Sequence, residues 1–459
     1  MIALLALLIS STARPAPPPT ETLSVPTFGK VALYAPSGTP REVVLFVSGD
    51  GGWNLGVVSM AERLRDLGAL VVGIDIRSFL RGLEASDSCA YPAGDLEELS
   101  RTIQLHRKVP EYRRPILVGY SSGATLVYAA LASAPPETFA GAVSLGFCPD
   151  IMIHRPLCEM RGLETRKRTD GRGYDVRPFA ALKVPWMVLQ GEIDQVCAPA
   201  ATRAFVAATG AARMISLPKV GHGFAVTRNW EPQFLDAYRA VAGASRPDDV
   251  SRGSMPEVAD LPLVEVPPAA SGGDLMAVFV SGDGGWAELD KGVAARLAAA
   301  GVPTIGWSSL RYFWTPRTPE QAAADLGRII THYTRAWNKR RVVLIGYSFG
   351  ADVLPFLVAR LDPEAKSRVA KLTLLGLSET ASFEFHVAEW LGRAPTTSYR
   401  TVPEVERLSV PVTCVRGSGE RDSACSVMKG DHVSIVTIGQ GHHFSNDYPR
   451  LVEAILEPH

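Results

Sequence analysis

The chain has 459 residues, with 47 Lys plus Arg against 47 Asp plus Glu, and is 46% hydrophobic and 20% charged. The length holds two or three domains, and the composition is that of a globular protein. The zero net charge does not favour nucleic-acid binding, which usually leaves a basic surplus.

Taken in chain order, "MIALLALLISSTA" opens with an apolar run at residues 2–9 and small residues at 11–13, with no Lys or Arg ahead of it. The run is much shorter than the roughly 18 apolar residues of a spanning helix and reads as a cleaved secretory signal. "RPAPPPT" (14–20) follows as an extended tether. Residues 43–47 form a short apolar strand, "MAERLRDLGA" a helix stopped by Gly, and "LVVGIDI" the next strand. "AGDLEELSRTIQLHRK" has amphipathic helical spacing, and "RPILVGYS" is a buried strand feeding a helix. The pattern then starts again. Residues 277–280, "KGVAARLAAAG", "VPTIGWS", "PEQAAADLGRIITHYTRAW" and "RVVLIGYS" repeat it.

Four landmarks recur in the same order: "SGDGGW" at 48–53 and 281–286, Gly-Tyr-Ser-x-Gly at 119–123 and 346–350, an apolar strand with acids behind it, and "GHGF" or "GHHF". Such a repeat implies two homologous domains. The boundaries expected are signal and tether 1–20, first domain 21–243, a Pro/Gly/Ser-rich linker 244–262, and second domain 263–459. Buried strands alternating with helices predict the α/β class. The expectation is two tandem α/β-hydrolase-like domains, each a mostly parallel sheet flanked by helices.

Six cysteines suit disulfides in an oxidising compartment. Cys414 with Cys425 is the simplest pair, while Cys89, Cys148, Cys158 and Cys197 allow three connectivities. No C-x-x-C pair is present, so a metal site is not expected.

Gly-x-Ser-x-Gly between a buried strand and a helix is a nucleophile elbow. Gly119 and Gly123 flank Ser121, and Gly346 and Gly350 flank Ser348, where the turn leaves room for small residues alone. A serine nucleophile needs a base and an orienting acid, which in this fold follow in the order Ser, acid, His. The first half offers Ser121, Asp194 and His222, and the second offers Ser348, Asp422 and His442. His443 rivals His442, Glu420 is a weaker rival to Asp422, and Asp150 and Glu379 are alternative acid positions. The oxyanion hole needs backbone N–H groups aimed at developing charge. The N–H after the nucleophile (Ser122, Phe349) and the turn containing Gly282, Asp283 and Gly284, with its copy at 48–53, fill that need. Asp50 and Asp283 are unexpected beside an oxyanion and either tie down the turn or meet a cationic substrate.

The doubled "SGDGGW", "GYSFGAD" and "GHHF", together with "EFHVAEWLG" at 384–392, resemble the AcvB/VirJ family of bacterial virulence proteins. The resemblance covers nearly the whole chain after the signal. The two-domain layout is similar to the longer AcvB-like members, and the shorter ones correspond to the second half alone. It implies a periplasmic hydrolase that removes lysine from lysyl-phosphatidylglycerol, an aminoacylated lipid at the membrane surface. It also implies a link to type IV secretion components, and a catalytic Ser at Ser348 with Asp422 and His442. A lysyl ester carries two ammonium groups, so carboxylates are expected around it. Asp352, four residues after Ser348, and Glu384 are the candidates, and the first half has Thr125 at the position of Asp352. No cofactor is expected. The first domain is expected to be chemically competent with different specificity. The competing readings are a non-catalytic envelope scaffold and a general periplasmic esterase.

Overall fold

The computed structural model describes residues 18–85, 89–135, 137–244, 257–268, 272–385, 398–420 and 422–457. The expected signal, most of the expected linker and residues 386–392 of the "EFHVAEWLG" stretch lie outside them. The chain divides into two compact units. The first holds the described residues up to Ser100 with Pro115–Ala134 and Phe139–Ala244. The second holds Arg101–Arg114, Pro135–Thr138 and the described residues from Glu257 onward.

The first part of the chain runs β1 (Glu21–Val25), β2 (Gly29–Tyr34), β3 (Glu42–Val47), α1 (Leu55–Asp66), β4 (Ala69–Ile74), α2 (Ile76–Glu84), α3 (Pro92–His106), β5 (Ile116–Tyr120), α4 (Ser122–Ser133) and β6 (Gly141–Leu145). Three short strands follow, β7 (Asp150–Ile151), β8 (Thr165–Lys167) and β9 (Tyr174–Val176). Then come β10 (Trp186–Gly191), α5 (Pro199–Ala207), β11 (Ala212–Leu217) and α6 (Glu231–Ala244). The main sheet has the order β1-β2-β4-β3-β5-β6-β10-β11. It is parallel from β4 to β11, with the β1–β2 and β2–β4 pairs antiparallel.

The second unit contributes β12 (Leu263–Val266), β13 (Leu275–Val280), α7 (Glu288–Ala299), β14 (Thr304–Trp307), α8 (Ser309–Tyr312), α9 (Pro319–Ala336), β15 (Arg341–Tyr347), α10 (Phe349–Ala359), α11 (Pro363–Ser367) and β16 (Val369–Leu375). It ends with β17 (Thr380–Ala381), β18 (Tyr399–Arg400), α12 (Thr401–Glu406), β19 (Val412–Ser418), β20 (Val433–Gln440) and α13 (Tyr448–Leu456). Its sheet, β12-β14-β13-β15-β16-β19-β20, repeats the first order without the outermost strand, and only the β12–β14 pair is antiparallel.

The sheets are parallel because their central strands are apolar on both faces and need helices on both sides. Val43 to Val47 and Met276 to Val280 are fully buried along their length. The "GGW" tryptophans complete this layer in each unit. A Cβ on Gly73 of β4 would meet the Trp53 ring at 2.1 Å, and one on Gly306 of β14 would meet Trp286 at 2.5 Å. Indole and glycine are therefore a matched pair in both copies. Among the described residues, no helix is long and apolar enough to cross a membrane.

Candidate active site

Both elbows form as the motif predicts. Ser121 has φ 54 and ψ −124, and Ser348 has φ 51 and ψ −119, each between a central parallel strand and the helix it starts. Such positive φ at a non-glycine residue is strained and is held by its surroundings. The flanking glycines provide the room. A Cβ on Gly119 would lie 2.3 Å from the Gly123 carbonyl oxygen, and one on Gly123 would lie 2.4 Å from that of Val47. The matching distances are 2.5 Å from Gly346 to the Gly350 oxygen and 2.2 Å from Gly350 to that of Val280. The "SGDGG" turn lies against the nucleophile, since a Cβ on Gly49 would come within 2.9 Å of the Ser121 Cβ, and one on Gly282 within 3.5 Å of the Ser348 Cβ.

In the first unit Ser121, His222 and Asp194 form a continuous chain. Ser121 Oγ is 2.8 Å from His222 Nε2, and His222 Nδ1 is 2.9 Å from Asp194 Oδ2. Four donors converge on Asp194. Gln190 Nε2 and the His222 ring share Oδ2, while the backbone N–H groups of Val196 and Cys197 donate to Oδ1 at 2.8 and 2.9 Å. With Nδ1–H directed at the acid, Nε2 is free to accept the serine proton. The His222, Asp194 and Cys197 ligand atoms also cluster within 4.8 Å, but the Cys197 sulfur is bonded to Cys148. It is therefore not a thiolate able to hold a metal.

The second unit departs from expectation at its acid. His442 Nδ1 lies 2.5 Å from Glu420 Oε1, whereas Asp422 is exposed in the same loop. Glu420 replaces Asp422 as the partner of His442. The reason is visible when residues are counted from the glycine that ends the strand. Asp194 is three residues past Gly191 and Glu420 three past Gly417, so the structurally equivalent acid has one more methylene, and matching by residue type alone picks the wrong one. The Gly417 N–H holds the other Glu420 oxygen at 2.9 Å. His442 sits where His222 does, over the glycine after the neighbouring strand, so that a Cβ on Gly376 would lie 2.7 Å from its ring. Among the described residues, Ser348 Oγ makes no hydrogen bond to His442. That side chain is 39% exposed, against 17% for His222.

The tyrosine of Gly-Tyr-Ser has a role that sequence reasoning missed. Tyr120 donates its hydroxyl to the His222 carbonyl oxygen at 2.8 Å, which pins the histidine loop to the elbow strand. Tyr347 is instead 3.0 Å from His443 Nδ1. His443 is thus attached behind His442, and burial, followed by the neighbouring His442, lowers its pKa. The recurrence of Tyr before both serines was the available signal.

The other expected residues fall into place around these centres. Asp50 accepts from Ser122 Oγ at 2.6 Å and so ties the turn to the elbow helix. Phe349 stands at the position of Ser122, and its ring packs on Phe313 and Phe385. Asp283 and Gly284 are exposed and Gly282 is buried. Asp352 accepts from the Ser378 N–H at 2.7 Å, as Thr125 Oγ1 donates to the Cys148 carbonyl oxygen. Both side chains join the elbow helix to the loop beyond the next strand. Burial pushes Asp352 up to about 8, opposed by its bonds from Ser378. Glu384 is partly buried, its backbone N–H and carbonyl both bonded to Ser382 Oγ. Asp150 pairs with Arg168 at 3.0 Å, and Glu379 is exposed. Among the described residues, neither is joined to His222 or His442. The disulfides are Cys89–Cys158, Cys148–Cys197 and Cys414–Cys425.

This strand order, with a strained serine at the head of the central helix and a histidine and acid on loops after the last two strands, defines an α/β-hydrolase. The model of the family described as bacterial virulence protein (VirJ) matches residues 41–144 and 274–459. That is more than half of the chain, and the protein belongs to this family. No curated protein matches it. Among solved structures it is similar to an esterase domain from Rhodothermus marinus, with 18% identity and a TM-score of 0.34 over 49% of this chain and 97% of that one. A putative dienelactone hydrolase from Klebsiella pneumoniae has 17% identity and a TM-score of 0.34 over 49% and 97%. An α/β serine hydrolase without lid from Xanthomonas campestris has 20% identity and a TM-score of 0.31 over 50% and 94%.

Proposed function

We propose that the protein is a serine carboxylic-ester hydrolase. The observation that carries this is the unbroken chain Ser121–His222–Asp194, at 2.8 and 2.9 Å. The serine oxygen attacks the ester carbonyl carbon while Nε2 of the histidine takes its proton. The oxyanion meets the N–H of the residue after the serine and the glycine turn. Collapse breaks the acyl–oxygen bond, and the histidine returns the proton to the departing alcohol. Water, deprotonated by the same histidine, then attacks the acyl-enzyme and frees the acid and the serine. In the second unit the same roles fall to Ser348, His442 and, in place of Asp422, Glu420.

The finer reading is that the second unit cleaves the aminoacyl ester of lysyl-phosphatidylglycerol in the periplasm. Family membership supports it. Three disulfides suit an exported protein. Lipid analysis of cells carrying Ser348→Ala beside Ser121→Ala tests it, with lysyl-phosphatidylglycerol expected to accumulate in the former alone. Unchanged lipid in both strains sinks the substrate assignment. Unchanged lysyl-lipid turnover in Asp352→Asn with Glu384→Gln removes those two from ammonium binding.

One observation favours the scaffold reading for the second unit, namely the missing Ser348–His442 bond. Fluorophosphonate labelling separates the two. Label on Ser348 supports the enzyme, and label confined to Ser121 supports a second unit that binds without turnover.

A further inference from the structure

Among the described residues of the first unit, five large apolar side chains stand exposed: Met152, Met160, Ile193, Val196 and Val226. Three of them belong to the loops that carry the catalytic groups. Ile193 (61% exposed) and Val196 (67%) flank Asp194, and Val226 (47%) lies four residues beyond His222. Their backbones are fixed, so the apolar groups are held outward. Ile193 N–H donates to the Val220 carbonyl oxygen and Val196 N–H to Asp194, and Cys197 is stapled to Cys148. The histidine loop also carries Lys219 and Arg228, and the acid loop carries Glu192. Both cations are exposed and, among the described residues, neither has an ion-pair partner. Glu192 is exposed as well.

The second unit provides an internal comparison. Counted from the strand glycine and from the catalytic histidine, the positions of Ile193, Val196 and Val226 are held by Gly419, Asp422 and Asn446. Among the described residues these three positions are apolar in the first unit and not in the second, whose exposed apolar side chains, Val427 and Ile435, stand at other places. Exposed apolar groups gathered around a site mark something apolar that covers it, and two unpaired cations at the edge favour a negative surface. We propose that the Ser121 site works at a lipid–water interface. Ile193, Val196 and Val226 enter the acyl region of an anionic phospholipid surface, Lys219 and Arg228 lie at its phosphates, and the ester reaches Ser121 from that surface. This rests on the hydrolase reading for turnover but not for docking.

The test uses the full chain carrying Ser348→Ala, so that the second site is silent. Three measurements are made: sedimentation with phosphatidylglycerol vesicles, sedimentation with phosphatidylcholine vesicles, and hydrolysis of p-nitrophenyl acetate in solution. Adding Ile193→Ser and Val226→Asn is expected to weaken phosphatidylglycerol binding by about tenfold or more and to leave acetate hydrolysis unchanged. Lys219→Glu with Arg228→Glu is expected to remove the preference for phosphatidylglycerol over phosphatidylcholine. Vesicle binding unchanged by the double variant Ile193→Ser, Val226→Asn, or no preference in the parent protein, overturns the proposal. Equal loss of vesicle binding and acetate hydrolysis also overturns it, because the rim would then be part of the catalytic fold. Absence of acetate hydrolysis in the parent strikes the hydrolase reading instead, and the vesicle arm still reports on the rim.

Discussion

At the scale of single residues the two sites differ in how their acid reaches the histidine. Asp194 is short and held by four donors, whereas Glu420 is longer and holds His442 at 2.5 Å. Removing the negative charge while keeping the shape isolates that role. In a Ser121→Ala background, Glu420→Gln should lower kcat at Ser348 by up to about 10⁴-fold, the size seen when an orienting acid is neutralised. Asp422→Asn should leave kcat unchanged, and steady-state kinetics on an aminoacyl ester separates the two. A second residue-scale expectation concerns Asp290, which is fully buried near the start of α7 and pushed by desolvation up to about 7. One of its oxygens accepts from the Ala287 N–H, and the other has no partner among the described residues. From about pH 4, where an ordinary Asp titrates, up to about 7, the folded chain keeps a proton that the unfolded chain has lost. Stability therefore falls as pH rises through that window. Asp290→Asn should flatten the fall, read as Tm at pH 5 and pH 8.

Secondary-structure elements place these residues by close backbone contact. The elbow strand, the glycine turn and the elbow helix meet where no Cβ fits, so Gly119→Ala and Gly346→Ala force the backbone apart. Each should cost about 1–3 kcal/mol, the usual range for overpacking, and abolish fluorophosphonate labelling in its own unit while sparing the other. Denaturant midpoints and labelling of both variants check this. The acid loops are held by a different device in each unit. Cys197 ties the Asp194 loop back to the segment after β6, while Cys414 and Cys425 enclose Glu420 within one loop. Cys414→Ser with Cys425→Ser should destabilise the second unit by about 2–4 kcal/mol and lower turnover at Ser348 more than at Ser121. Thermal melts and paired assays measure both effects.

Across the whole molecule, one architecture appears twice with different surroundings. The elbow, glycine turn, Trp–Gly pairing and histidine loop are shared. The loop rims are not, with Ile193 and Val196 facing outward in one copy and Gly419 and Asp422 at the same places in the other. Duplication keeps the machinery that covalent geometry demands and frees the rim, which no packing constraint holds. A specificity swap is therefore expected to follow the rim rather than the triad.

The repeat, the parallel sheets and both elbow serines were legible in the sequence. Short apolar runs without polar alternation, bounded by turns and separated by helical stretches, read as buried parallel strands, and the strained turn accepts only glycine two positions to either side of its serine. His222, Asp194 and His442 were legible for a related reason, since each stands at a fixed short distance from a strand end or a Gly. Tertiary structure decided the rest. Which of Glu420 and Asp422 reaches His442 depends on the path of one loop, which local sequence does not encode when both residues are acidic. The three possible pairings of Cys89, Cys148, Cys158 and Cys197 were resolved by which loops the sheet order brings together. The hydroxyl of Tyr120, which meets a carbonyl 102 residues away, and the outward rim at Ile193, Val196 and Val226 exist only once the strands are side by side. Contacts between distant segments are set by the folded sheet and not by any neighbour in the chain.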